Sequence, residues 1–161
     1  MYLYPIIKFS FIKSTRRLSE QEFNNWIQIY SNNLWTIRAA DKFGDYGIIG
    51  ILSISIKDGV ANLVDFILSC RVVGRCIEET MIEFLKEFCK ENKVDKINGK
   101  YIKTEKNSFC YYFINKLKLV NNKQDFFEFS SNQKKLNLLN ITVKKPTYKE
   151  KINASKNFMA K

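Results

Sequence analysis

Histidine is absent from this 161-residue chain, and that absence removes a block of chemistry. No Ser–His or Cys–His nucleophile pair can be assembled within it. Proton transfer must fall to Glu, Asp, Tyr, Lys, Cys or water. The four cysteines, Cys70, Cys76, Cys89 and Cys110, show no Cys-x-x-Cys spacing. No structural zinc site is therefore expected, and reduced thiols of a cytoplasmic protein are the expectation. No apolar run approaches the ~20 residues of a membrane span. The N-terminus lacks the basic region and small-residue cleavage site of a signal peptide. The aromatic–basic motif of an RNA-binding sheet is missing too, as is any internal repeat.

What is present points to one packed domain. Apolar residues make up 45% of the chain, which excludes a disordered polymer and allows a core of useful size. The formal charge is +11. Residues 144–161 hold six Lys and one Glu and read as a basic, disordered tail behind a domain over residues 1–143. Lysine and asparagine are abundant throughout, a bias typical of AT-rich coding, so the charge is weak support for nucleic-acid binding. The five arginines, Arg16, Arg17, Arg38, Arg71 and Arg75, avoid that tail.

Residues 2–12 look extended. Ser19 and Glu22 have the spacing of a capping box, and Phe23, Trp26, Ile27 and Tyr30 follow as a helical stripe that Asn32 and Asn33 end. Strands are expected at 34–39, 48–56 and 60–68, with turns at 44–47 and 57–59. The third strand is apolar almost throughout and so is expected to be central. Ile77, Met81, Phe84, Leu85, Phe88 and Cys89 mark a helix over 75–92, with Lys86 and Lys90 opposite. A strand at 94–102, parallel to the third, follows from a helix crossing between them. A second crossover helix at 107–117 and closing antiparallel strands at 124–129 and 136–143 complete the reading. The fold class is α/β (α+β): a mixed sheet in which an antiparallel meander leads into a β-α-β crossover.

One junction concentrates the chemistry. Strand 60–68 runs into Ser69-Cys70-Arg71-Val72-Val73-Gly74-Arg75-Cys76 and then into the long helix. A strand, a glycine turn and a helix N-terminus together aim backbone N–H groups at one point. Amides of Val72, Val73, Gly74, Arg75 and Cys76 could hold a phosphate there, with Arg71 and Arg75 adding charge. In the alternative, Gly74 only starts a helix and the arginines pair with Glu78, Glu79 or solvent. Asp65 shares a strand face with Leu63 and Ile67. It could serve as a general base, or accept hydrogen bonds from a Ser, Trp or Arg of a neighbouring strand. Cys70, beside Arg71 and a helix N-terminus, has the surroundings of an activated thiol or of a small buried hydrophobe.

Arg71-Val72-Val73-Gly74-Arg75-Cys76 resembles the Arg/Gln-x-x-Gly-x-Gly/Ala turn with which GNAT acetyltransferases bind the pyrophosphate of acetyl-CoA. Four blocks sharpen the resemblance: residues 14–19, 41–50, 66–75 and 99–107. In order and spacing they look like the C-terminal GNAT-like domain of FkbH-type proteins, in which a HAD-type (subfamily IIIC) domain comes first and a glyceryl unit is loaded onto an acyl carrier protein for polyketide-type assembly. This sequence has no Asp-x-Asp-x-Thr-like motif, so that half and its phosphate chemistry have no counterpart in it. The first GNAT strand and helix are truncated on the same comparison.

The resemblance implies Asn107 as a cofactor-binding residue at the start of the second crossover helix. The family's Tyr one to two turns later falls on Ile114, which cannot protonate a leaving thiolate. Tyr111, three residues earlier on roughly the same face, is the substitute candidate. Cys76 stands in place of the family's small residue, and Lys100 and Lys103 stand where Glu and Pro are expected.

Two functions stand side by side. One is an acyltransferase-type domain that binds acyl-CoA or an acyl- or glyceryl-phosphopantetheine carrier, with Asp65 and Tyr111 as catalytic candidates. The other is a non-catalytic module that docks an acyl carrier protein or a separately encoded HAD partner. An acidic carrier would be steered by a basic body.

Overall fold

The computed structural model describes residues 9–10, 18–101, 113–115, 120–123, 126–136, 138 and 141–144. Within them the chain builds a seven-stranded mixed sheet. The elements are β1 (Phe9–Ser10), α1 (Glu20–Gln28), β2 (Asn32–Asp41), β3 (Gly44–Lys57), β4 (Val60–Leu68), α2 (Ile77–Glu91), β5 (Lys96–Lys100), β6 (Val120–Lys123) and β7 (Phe126–Ser130). A 3-10 turn, Cys70–Val72, joins β4 to α2.

The strand order is β2-β3-β4-β5-β7-β6, with β1 added beside β4. All pairings are antiparallel except β4 with β5, which α2 connects, as the sequence implied. Asp58 and Gly59, both at positive φ, give β3 and β4 the two-residue hairpin whose twist suits flanking strands. Ser19 and Glu22 do form the capping box on α1.

Several expectations are corrected. The β2–β3 turn is Lys42-Phe43, because Asp41 already pairs with Gly44, and Gly44 to Gly47 belong to β3. Asn32 begins β2 instead of merely ending α1, and its side chain donates to the Trp26 carbonyl. Tyr30 lies beyond α1 and is fully exposed. Described residues of the segment 136–143 form no strand.

Lys86 is buried and not on an outer face. Its Nζ donates to Glu83 at 2.6 Å and to the Lys134 carbonyl at 3.0 Å, while the Leu136 N–H donates to Glu83 at 2.9 Å. A buried ion pair thus fastens the stretch after β7 onto α2.

The core lies between the sheet and the apolar face of α2. Met81, Ile82, Leu85 and Cys89 are buried with Leu52, Ile54, Leu63, Phe66 and Leu68. Trp35 of β2 meets Phe84 and Phe88 edge-on, with ring centroids 5.3 and 4.7 Å apart. Phe127, a member of the same buried cluster, lies across Gly99, its register partner. A Cβ on Gly99 would come within 2.2 Å of that ring.

Candidate functional site

The site grows from a defect in β4. Ser53 pairs with Asp65 but Ile54 pairs with Leu63, which leaves Val64 as the extra residue of a β-bulge. A bulge bends its strand and reverses which residues face the core beyond it. Ala61 and Leu63 are buried before it, Phe66 and Leu68 after it. Asp65 therefore does not share a face with Leu63, contrary to simple alternation.

The same defect separates the parallel strands. β4 and β5 pair only at Val60–Lys96, Ala61–Ile97 and Asn62–Asn98. Past Asn62 the two strands part, and β4 runs on to the turn at 69–76. Its outer edge is not wholly open. β3 occupies one side of Ile67 and Leu68, so β1, which pairs Phe9 with Leu68 and Ser10 with Ile67, takes the side that β5 has left.

The turn itself is tightly built. Ser69 accepts from the Arg71 N–H through Oγ and from the Val72 N–H through its carbonyl. The Arg75 N–H donates to the Val72 carbonyl at 3.3 Å. Gly74 has φ +79° and Cys76, the N-cap of α2, has φ +60° with no side-chain cap. The left-handed region is costly for a residue with a Cβ, and Cys76 stands where the resembled motif has its small residue.

Glu78, in the first turn of α2, is only 2% exposed, and its Oε1 accepts from the Gly74 N–H at 3.1 Å. Of the five amides expected to serve an anion, Val72, Gly74 and Arg75 thus have acceptors within the protein. At Gly74 that acceptor is itself a carboxylate.

The arginines differ from one another. Arg71 stays local, its Nε donating to Ser69 Oγ at 3.1 Å. Arg75 reaches 34 residues back to the β2–β3 hairpin. It donates to Asp41 Oδ2 at 3.2 Å and to the Tyr46 hydroxyl at 3.0 Å, and its guanidinium lies 5.3 Å from the Tyr46 ring centre. The Tyr46 hydroxyl also donates to Asp41 at 2.7 Å and the Phe43 N–H at 2.8 Å. Those two bonds, then the Arg75 charge, hold the Asp41 carboxyl below its usual range. Sequence reasoning missed this cluster. Its only sequence signal was that residues 41–50 and 66–75 both carried the family resemblance; in space they meet.

Asp65 is half-buried and accepts from Ser53 Oγ on the neighbouring strand, the structural role weighed against a catalytic one. Asn107, Tyr111 and Cys110 lie outside the described residues, as do Arg16, Arg17 and the tail beyond residue 144. Ile114 is buried in the helical stretch 113–115. Cys70 and Cys76 are exposed. Burial pushes the Cys89 thiol up to about 11, which removes it as a nucleophile near neutral pH. Among the described residues no three Cys, Asp or Glu side chains are grouped to hold a metal ion, and no helix is long and apolar enough to cross a membrane.

The fold is found in known structures. A GNAT-family acetyltransferase of Staphylococcus aureus Mu50 superposes with a TM-score of 0.52 at 15% identity, over 63% of this chain and 69% of that one. The PaiA N-acetyltransferase of Thermoplasma acidophilum, solved with coenzyme A, gives 0.50 at 16%, over 71% and 80%. The ribosomal-protein-S18-alanine N-acetyltransferase of Escherichia coli gives 0.54 at 8%, over 78% and 83%. The fold is that of the GNAT acetyltransferases. No family model and no curated protein matches the sequence.

Proposed function

We propose that this chain binds the phosphate-bearing end of a thioester carrier, coenzyme A or a phosphopantetheine arm, at the 69–76 turn, as an acyltransferase-type domain. One observation carries the reading: β4 bulges at Val64, parts from β5 after three residue pairs, and delivers the chain into a glycine turn at a helix N-terminus. Parting strands leave β4 backbone before the β1-covered Ile67–Leu68 to an extended, amide-bearing ligand, which can add to a strand edge as a peptide does. Amides and the positive end of α2 then face the ligand's anionic end. The Thermoplasma structure with coenzyme A supports the choice of ligand.

In this reading Arg71 supplies the charge nearest the phosphate, the amides of Val73 and Cys76 supply donors, and that of Gly74 joins them only by giving up Glu78. Asn107 adds a contact from the second crossover helix. The chemistry is direct attack of an acceptor on the thioester carbonyl, with Asp65 orienting or deprotonating the acceptor and Tyr111 protonating the departing thiolate. The physiological context is FkbH-like, with an acyl carrier protein or a separately encoded HAD-domain protein as partner.

A second reading rests on a different observation. The Gly74 amide already serves Glu78, and Asp65 already serves Ser53. A turn and a carboxylate committed in this way suit a non-catalytic module that only docks a carrier or a HAD partner. Acetyl-CoA turnover, measured with and without holo acyl carrier protein beside calorimetric binding of coenzyme A, separates the two. Turnover supports the transferase, binding of the carrier without turnover the docking module, and binding of neither coenzyme A nor carrier overturns the thioester-carrier reading common to both.

A further inference from the structure

The tip of the β2–β3 hairpin is an unusual surface. Phe43 is 82% exposed and Ile48 53%. Large apolar side chains on such a tip are costly in water unless something covers them. The tip is not loose. Asp41 accepts from the Phe43 amide and the Tyr46 hydroxyl, and Asp45 accepts from the Gly47 amide at 2.7 Å and from Arg38 at 2.9 Å. Arg75 bolts this network to the 69–76 turn. A fixed apolar knob is thereby held beside the anion seat.

We infer that the Phe43 tip is a docking surface for an acidic carrier domain whose prosthetic arm enters the neighbouring turn. The inference rests on the phosphopantetheine reading of that turn. Charge selects the partner. Arg38 and Arg75 at the tip and the turn are paired with Asp45 and Asp41, and Glu78 is buried against the Gly74 amide, so the exposed Lys42 and Arg71 are the cations that face a partner. Lys42 Nζ stands 4.9 Å from the Phe43 ring centre, so one contact offers an aromatic face and a cation together. An acidic helix with a small apolar ridge satisfies both, and opposite charge speeds its arrival. A second copy of this chain brings the same +11 charge and is repelled. An exposed aromatic, fixed in place and ringed by polar groups, has the character of a binding hot spot.

The test compares wild type with Phe43→Ser and Lys42→Glu, titrated with a phosphopantetheinylated acyl carrier protein and separately with coenzyme A. Both side chains are exposed, so folding stays intact by thermal unfolding. The expected result is carrier affinity weakened about tenfold by either change, with coenzyme A affinity unchanged within twofold. Unaltered carrier affinity overturns the inference, and so does a parallel loss for both ligands. Wild type that binds coenzyme A but no carrier sinks the docking surface and leaves the cofactor reading standing; binding of neither sinks both. Tight binding of a single-stranded RNA that Phe43→Ser abolishes replaces the carrier with a nucleic acid.

Discussion

Replacing Glu78 by Gln tests how the anion seat is wired. The carboxylate is buried, accepts from the Gly74 N–H at 3.1 Å, and lies in the first turn of α2. Three effects follow from removing its charge. The hydrogen bond loses its ionic character, about 1 kcal/mol. The favourable interaction with the helix N-terminus goes, about 0.5 kcal/mol. Against these, a buried charge no longer has to be kept from water, and that relief offsets much of the loss.

Folding stability should therefore fall by no more than ~1 kcal/mol, or roughly 2–4 °C in Tm. Ligand binding moves the other way and further. A phosphate held by the same turn is repelled by the carboxylate, and a separation of roughly 7 Å serves for the arithmetic. At an effective dielectric of ~20 the repulsion is about 2 kcal/mol, or roughly thirtyfold in affinity. Thermal unfolding and calorimetry with coenzyme A measure the two halves. A slightly less stable protein that binds far more tightly is expected. A variant of intact fold with equal or weaker affinity would refute the reasoning, for then the carboxylate is not competing with the ligand.

Four further outcomes are expected. Cys76→Gly relieves a left-handed residue and should stabilise the chain by roughly 0.5–1 kcal/mol in urea unfolding. Lys86→Met strands the Glu83 carboxylate in the interior and should cost about 3–5 kcal/mol, whereas Glu83→Leu with Lys86→Met should cost far less. Asp41, Asp45 and Glu22 are held below their usual values, chiefly by the Tyr46 hydroxyl, the Gly47 amide and the Ser19 amide respectively. Their stabilisation is complete above the unfolded carboxylate values and fades as pH falls through the depressed folded ones, so Tm followed from pH 7 downwards should drop in the acid range. Removing residues 1–12 frees the β4 edge at Ile67–Leu68; coenzyme A affinity should rise, and amide exchange at those two positions should quicken.

The meander and crossover were legible because they rest on local signals. Ser19 with Glu22, Asp58-Gly59, and the spacing from Ile77 to Cys89 each act through neighbours a few residues away. The Val64 bulge was not legible. An apolar strand reads the same with or without one extra residue, and only the partner's register reveals it. That defect is why the face of Asp65 was misjudged.

Lys86 was placed outside because lysine is rarely buried; its partners come from α2 and from residues 134–136, and the more distant of them no helical pattern can announce. The turn was found in the sequence because glycine and two arginines mark it. Its ties to Glu78 and to Asp41 and Tyr46 depend on how chain segments meet, which spacing alone does not encode.

The most direct measurement is a backbone amide NMR titration with coenzyme A. Saturable shifts centred on residues 72–76, extending to Asp65 and Phe66 of β4, are predicted. Shifts elsewhere with that turn silent, or no shifts at millimolar ligand, would contradict the anion seat.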